Sequence, residues 1–526
     1  MTVAHRPPNA SQATGLDLTL DRPLPRCLPV GQATAVFCVG SCFHPHLVVD
    51  ELGIVVDGVR HRPLAQAMPR LDRFRSLHPT LRPGEEGTVE HDPQSPRDPE
   101  LRSYRSGFWA TVPIAARGKP GEIELRAEAR LADGTTASAV MGAVEVVGRP
   151  PGVSLDWRPG EDKPLIAICM ATFNPDMELF RTQVESLRAQ TDGDWVCLIS
   201  DDRSGPKRFD AIAATVAGDP RFVLSRSDER LGFYRNFERA LGMVPEEAEL
   251  VALCDHDDRW YPDKLETLRA AIGSAELAYS DLRLVDADGR VRGESLWRGR
   301  RNNNTNLASL LISNTIVGAA CLFRRRVLDR ALPFPQGPGW DFHDHWLALV
   351  AMALGDVAYV DRPLYDYVQH PGAVLGRVAS DPRRSAPAER SGLRARLAQR
   401  RRYLERWRAA YFTVYLQRKL QAHVLLARCG AAITARKRRA LRLLVAADRS
   451  SLALAWLAVR PARALVGRNE TLRLEEVMVR GILWRHVTGL RAWRRKRPGG
   501  SSDDASMPSF DPKPLGPRRR RWLARG

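Results

Sequence analysis

The sequence predicts an α/β domain on a mostly parallel sheet with flanking helices, preceded by an antiparallel β-sandwich and followed by a helical extension. Three observations predict this. Between about residues 15 and 147, short β-rich runs are punctuated by Gly, Pro and Asp. From Pro164 the hydrophobic period changes, and apolar runs of strand length alternate with helical ones, which is how parallel sheets with right-handed crossovers are built. From Asp381 the composition turns to Arg, Ala and Leu at helical spacing. The resulting division is 15–147, 164–376, 381–497 and a disordered tail over 498–526.

In the first part, strands are expected over 34–39, 53–59, 108–114, 122–131 and 137–147, with Asp133-Gly134 as a tight hairpin turn. The pattern suits an immunoglobulin-like sandwich that lacks an inter-sheet disulfide. Gly148-Arg149-Pro150-Pro151-Gly152 is a linker by composition. Beyond it, strands are expected over 165–171, 195–200 and 222–225, and helices over 177–189 and 232–241. The C-terminal periodicity is most persistent over 393–426, 436–447 and 472–493. Such helices either pack on the sheet or lie, arginine face down, on anionic lipid.

A chain of 526 residues exceeds one ordinary domain, and its net charge of +19 is concentrated in the C-terminal third. That asymmetry points to an anionic surface. Membrane lipid fits it, whereas no aromatic-basic module supports specific nucleic-acid binding. The eight cysteines are scattered, and several sit in apolar runs as buried thiols of a reducing compartment would. Cys38, Cys42, His44 and His46 do not match a common zinc spacing, so a strand end and turn are expected there. The first fourteen residues lack an apolar core of signal type, and no stretch reaches the roughly 18 apolar residues of a span. The expectation is a cytoplasmic protein, at most peripheral on the inner face of the plasma membrane.

The chemistry concentrates in four polar segments. Thr172-Phe173-Asn174-Pro175 follows the first strand of the α/β part and can meet a base or ribose. Asp201 and Asp202 end the next strand and can accept a hydrogen bond from a pyrimidine N–H. An apolar run then ends in Asp255-His256-Asp257-Asp258, with Pro262 opening a helix. Carboxylates at the carboxyl end of a strand in an open α/β sheet face the ligand crevice, and hard oxygens there suit Mg2+ or Mn2+ shared with phosphates. Last comes Trp340-Asp341-Phe342-His343-Asp344-His345-Trp346-Leu347, a carboxylate among imidazoles and indoles at the head of an apolar helix.

Together, in this order, these segments resemble the family 2 glycosyltransferases of GT-A fold over roughly 164–376. The narrower likeness is to rhamnosyltransferase-like enzymes of bacterial surface polysaccharide synthesis. It rests on Cys254 to Trp260 with Pro262-Asp263-Lys264-Leu265, on Asn314 to Gly318, on His343 to Leu349, and on Tyr365 to His370 with Gly372, Val374 and Gly376. Such sequences commonly carry an arginine where this chain has Val368. The resemblance implies that Thr172, Asn174, Asp201 and Asp202 hold the nucleoside and that Arg235 lies near the nucleotide. It implies that Asp257 contacts ribose or sugar, that Asp258 is the main metal ligand, and that Asp255 orients the other two. His370 would supply a diphosphate or metal contact from a mobile loop, and Trp346, Asn314 and Gly318 would shape the acceptor side.

Asp344 would be the base that takes the acceptor's proton, an ordinary aspartate being ionised at neutral pH. The donor implied is a nucleoside-diphosphate sugar, dTDP-rhamnose or a UDP-sugar, and the acceptor a glycan or lipid-linked chain. Direct attack inverts the anomeric centre, so Asp341 and Asp344 are not read as the carboxylate pair of a retaining glycosidase. The competing class is a non-catalytic scaffold of the same fold that binds nucleotide-sugar or glycan. A sugar nucleotidyltransferase would carry a glycine-rich basic loop where Thr172 to Pro175 stands.

Overall fold

The computed structural model describes residues 15–81, 91–155, 163–298, 302–337, 342–370, 403–463 and 471–495, the last seven by backbone alone. The expected tail over 498–526, the loop from Pro371 to Gly376, Trp340, Asp341 and the start of the 393–426 helix lie outside them. The chain divides into two compact units, one holding residues up to Gly148 and the other Arg149–Val487.

The first unit contains β1 (Asp17–Leu20), β2 (Cys27–Pro29), β3 (Thr34–Phe43), β4 (Val49–Val56), β5 (Val59–His61), β6 (Ala65–Met68), the short helix α1 (Leu71–Leu77), β7 (Gly107–Ile114), β8 (Gly121–Leu131) and β9 (Thr136–Val147). They form a four-stranded sheet, β1-β3-β7-β6, and a five-stranded one, β2-β9-β8-β4-β5. Alternate residues of facing strands share one core: Val36 and Cys38 on β3 and Phe108, Ala110 and Val112 on β7 meet Leu52 and Ile54 on β4 and Ile123, Leu125 and Ala127 on β8. Period-two burial of this kind is what puts one face of each sheet inside. Cys38 and Cys42 lie in that core, where burial pushes both thiols up to about 12. His44 Nδ1 accepts the amides of His46 and Leu47 at 3.2 and 3.1 Å, so this segment is the expected strand end and turn.

The second unit opens with β10 (Leu165–Thr172), α2 (Met177–Arg188), β11 (Trp195–Asp201), α3 (Pro206–Val216), β12 (Phe222–Arg226), α4 (Phe233–Gly242), β13 (Ala248–Asp255) and β14 (Arg259–Trp260). Then come α5 (Lys264–Ile272), β15 (Leu277–Asp286), β16 (Val291–Gly293), α6 (Leu307–Ile312), β17 (Cys321–Arg324), α7 (Leu328–Ala331), α8 (His343–Leu354) and β18 (Val357–Gln369). One nine-stranded sheet runs β12-β11-β10-β13-β17-β15-β18-β14, with β16 on β15. The block β12-β11-β10-β13 is parallel, and the antiparallel β17 joins it to the parallel β15 and β18. β10, flanked by β11 and β13, is fully buried from Leu165 to Thr172, which is why its apolar run does not alternate. The segment read as a linker carries Arg149, which donates to the carbonyl of Asp329 at 2.9 Å, and just past it the amide of Val153 donates to the carbonyl of Met243 at 2.9 Å.

Among the described residues, helices then follow: α9 (Leu416–Cys429), led by the π-helical turn Ala410–Tyr415, α10 (Ala435–Ala446), α11 (Ser451–Val459) and α12 (Leu474–Arg495). Basic side chains of this extension cap carbonyl ends of the α/β helices. Arg418 reaches the carbonyl of Ile312 at the end of α6, and Lys437 those of Met352 and Gly355 at the end of α8. Arg428 donates to the carbonyls of Arg330, Ala331 and Pro333 at the end of α7. The orphan carbonyls of a helix end carry partial negative charge, so buried cations are stabilising there. α9 and α10 therefore pack on the α/β core, the first of the two alternatives for these helices.

Candidate active site

Strand order places the crevice. β10 has β11 on one side and β13 on the other, and the register sets Thr172 beside Asp201 and Ala171 beside Asp255. The carboxyl ends of all three strands thus open at the point where the sheet reverses its order, where ligands of such sheets bind.

The nucleoside-side residues come together there. Thr172 Oγ1 donates to Asp201 Oδ1 at 3.1 Å, and Asp201 also accepts the Ser204 amide at 2.8 Å and hydroxyl at 2.5 Å. Asn174, at φ 42°, donates its amide to Ser204 Oγ at 2.7 Å and accepts the Gly205 amide at 3.0 Å. Asp202 accepts the amides of Leu231 and Gly232 at 2.6 and 2.9 Å, which anchors the start of α4, and pairs with Arg230 at 2.8 Å. Asp201 and Asp202 are both buried, and the hydrogen bonds give each a positioning role in the loops around the crevice. Asn236 was not singled out by sequence, yet it ties the ends of β10 and β11 together: its Nδ2 donates to the carbonyls of Thr172 and Ser200 at 3.2 and 2.9 Å. The available signal was an asparagine on the otherwise apolar stripe Phe237, Ala240 and Leu241 of α4. Arg235 serves the same helix from its other side, donating to Glu238 and, at 3.1 Å, to the carbonyl of Phe334.

The aspartate tip of β13 is the electrostatic centre. Asp258 is 1% exposed; Oδ1 accepts the amide of Val368 at 3.2 Å, and Oδ2 has no hydrogen-bond partner among the described residues. Burial, then the charges of Asp255 and Asp257, hold its carboxyl far above the usual range. Asp255 is pushed up to about 7 by burial and by Asp257 and Asp344. Asp257 runs the other way. Burial raises it, but the His370 Nε2 hydrogen bond at 2.7 Å and the charges of His256 and His370 outweigh that and leave it below the ordinary value. His370 is correspondingly raised, chiefly by the Asp257 bond.

Beneath this cluster Lys264 is fully buried, its Nζ bonded to the carbonyl of Ala319 and lying 3.5 Å from the ring centre of Trp260 and 4.4 Å from that of Tyr365. Burial brings its ammonium down to about 7 although Cys254, Asp258 and Asp255 favour the charge.

A divalent cation fits this donor set. A buried carboxylate oxygen without a partner, beside two more carboxylates, is costly unless protonated or met by a cation. Among the described residues no group of three His, Cys, Asp or Glu side chains forms a ready cage. Mg2+ or Mn2+ needs no such cage, because either takes one or two protein carboxylates and completes its shell with water and phosphate oxygens.

Asp344 arrives from across the sheet, in the first turn of α8, close enough to Asp255 to raise it. Its carboxylate accepts hydrogen bonds from the amide of His345 at 2.5 Å, the amide of Gly318 and the side chain of Asn314. Burial nevertheless raises it to about 6, above the value of the ordinary aspartate expected from sequence. Asn314 and Gly318 therefore act on Asp344 itself. A Cβ at Gly318 would lie 3.1 Å from both Asp344 Cβ and His343 Nε2, a tight contact that these neighbours would have to yield to by a few tenths of an ångström. His343 stacks on Phe237 with ring centres 3.7 Å apart, and burial lowers it to about 3. His345 is buried with Nε2 2.7 Å from the carbonyl of Leu310, a packing role. Trp346 corrects the acceptor-side expectation: it is wholly buried with its indole N–H on the carbonyl of Ala331 at 2.9 Å, so no sugar can stack on it.

Residues 167–332 match the family model described as glycosyl transferase family 2. Two curated relatives are an uncharacterized protein, y4gI, of Sinorhizobium fredii, 30% identical over 129 residues, and the uncharacterized glycosyltransferase MJ1057 of Methanocaldococcus jannaschii, 25% identical over 137. These alignments cover 23% and 25% of this chain and 14% and 47% of the relatives, so the chain spans less than half the length of either. Among solved structures, S. aureus TarS 1-349 in complex with UDP-GlcNAc aligns at 15% identity and a TM-score of 0.37, covering 66% of this chain and 99% of that one. The α/β unit, a parallel-rich sheet with an aspartate-tipped strand at its switch point, has the GT-A fold, and residues 167–332 within it are similar to glycosyl transferase family 2.

Proposed function

We propose that this chain is an inverting, metal-dependent glycosyltransferase that moves a sugar from a nucleoside-diphosphate donor to a glycan or lipid-linked acceptor in cell-surface polysaccharide synthesis. The carrying observation is the convergence of Asp344 with the Asp255–Asp258 cluster, whose Asp258 keeps one buried oxygen without a hydrogen-bond partner among the described residues. Asp258, with Asp257 beside it, would hold Mg2+ or Mn2+. When bound, that ion supplies Lewis-acid stabilisation of the charge that develops on the leaving diphosphate. His370 steadies Asp257 through its 2.7 Å hydrogen bond and would stand on the phosphate side.

The protein's own part is positioning and proton transfer. Thr172, Asn174 and the loops anchored by Asp201 and Asp202 border the nucleoside end. Asp344 takes the proton of the acceptor hydroxyl as its oxygen bonds the anomeric carbon and the bond to the diphosphate oxygen breaks, a direct displacement that inverts the centre. Asn314 and Gly318 hold the Asp344 carboxylate. The donor classes proposed are dTDP-rhamnose and UDP-sugars.

Release of nucleoside diphosphate from a panel of dTDP- and UDP-sugars tests this reading, with Mg2+ or Mn2+ and with chelator. Turnover of one donor, abolished by chelator and by Asp344→Asn, is expected. Chelator-insensitive turnover, or a product of retained anomeric configuration, contradicts it.

A further inference from the structure

α11 is SLALAWLAV, nine residues without a charge. Its inner face is covered: Ala453 and Leu457 are buried, and Arg460, which ends it, bonds Ser309 Oγ at 2.8 Å. Its outer face is not. Leu452 is 81% and Val459 65% exposed, with Ala455 exposed between them and Trp456 half-exposed beside the Arg460 guanidinium. Positions 452, 455, 456 and 459 follow the helical i, i+3, i+4, i+7 rule and share one face. Residues this apolar normally turn inward, and a stripe left in solvent marks an interaction surface.

Charge around the stripe has one sign. Between Arg406 and Arg463 the only acidic residue is Asp448, and it is buried against Lys419 at 2.7 and 2.8 Å. Arg436, Arg439 and Arg442, spaced by three along α10, are exposed, and so are Arg449 and Arg463 at the two ends of α11. Arg438 and Lys437 point inward to carbonyls, so α10 divides its basic residues between packing and surface. A polyanion such as nucleic acid would use the arginines but leave Leu452 and Val459 in water. An anionic bilayer uses both, taking aliphatic side chains below the headgroups and arginines at their level. α11 is about 14 Å long, too short to span, and no described helix is long and apolar enough to cross a membrane.

We infer that the outer face of α11, with the exposed arginines of α10, docks this chain on an anionic lipid surface, α11 lying along the headgroup boundary. This goes beyond the transfer reaction and does not depend on it.

Flotation of the full chain with vesicles tests the inference, comparing phosphatidylcholine alone with a phosphatidylcholine–phosphatidylglycerol mixture. Binding to the mixed vesicles is expected, weakening as salt is added. Leu452→Glu with Val459→Glu should reduce it by about tenfold or more, with an unchanged thermal melt because both side chains are exposed. Arg436→Ser with Arg439→Ser and Arg442→Ser should remove the preference for the anionic mixture. Flotation that survives the glutamate variant, or no flotation with either vesicle, overturns the proposal. So does a dimer in sedimentation that the glutamate variant dissociates, which would assign the face to a second copy. No flotation of the wild type together with arginine-dependent binding to duplex DNA also overturns it and assigns the arginines to a nucleic acid.

Discussion

At the scale of single residues, the site runs on carboxylates held away from their ordinary titration. Asp344 is raised to about 6 by burial against hydrogen bonds that pull it down. Its folded value lies above the unfolded one, near 3.9, so its contribution to stability is fully present below about pH 4 and lost as pH rises through about 6. Asp344→Asn should therefore raise the melting temperature at pH 7.5, a gain of about 1–3 kcal/mol, while lowering turnover by about 100-fold or more with donor binding unchanged. In the wild type, turnover should fall as pH drops below about 6. Lys264 is the counter-charge to the same cluster and favours the ionised forms of Asp255 and Asp258. Lys264→Met fills a similar volume without the charge. The pH midpoint of Mn2+-dependent nucleotide binding, followed by calorimetry, should then move upward by about half to one unit.

At the scale of elements, the alternation of strands and helices after Pro164 was legible because fully buried strands and amphipathic helices differ in period. Asp258 and Asp344 were legible as motifs, but their meeting was implied only by the family resemblance and not by the residues themselves, since it depends on β17 inserting antiparallel between β13 and β15. Trp346 misled because a tryptophan beside polar neighbours looks the same from sequence whether it faces a ligand or, as here, Ala331. α11 escaped notice because SLALAWLAV has no polar face to set a period. The arginines of the extension were ambiguous for another reason: which of them cap distant helices is a tertiary fact. Arg428 is buried and satisfies the carbonyls at the end of α7. Arg428→Met should cost about 2–4 kcal/mol, since buried carbonyls lose their donors. Exposed Arg439→Ala should stay within about 0.5 kcal/mol in the same urea melts.

At the scale of the molecule, the sandwich and the α/β unit each own a core, and nothing in the site described draws on the first unit. Leu125 is fully buried in the sandwich. Leu125→Ala should destabilise that unit by about 2–5 kcal/mol, and Mn2+ with nucleotide should raise only the transition of the other unit in a calorimetric melt. The central claim is that the carboxylate end of β13 binds a nucleoside diphosphate through a divalent ion. Calorimetric titration of UDP and dTDP with and without Mn2+, in the wild type and Asp258→Ala, tests it most directly. Binding that needs Mn2+ and is lost in Asp258→Ala is the predicted result. Metal-independent binding, or binding that survives the loss of Asp258 in a folded protein, would contradict it.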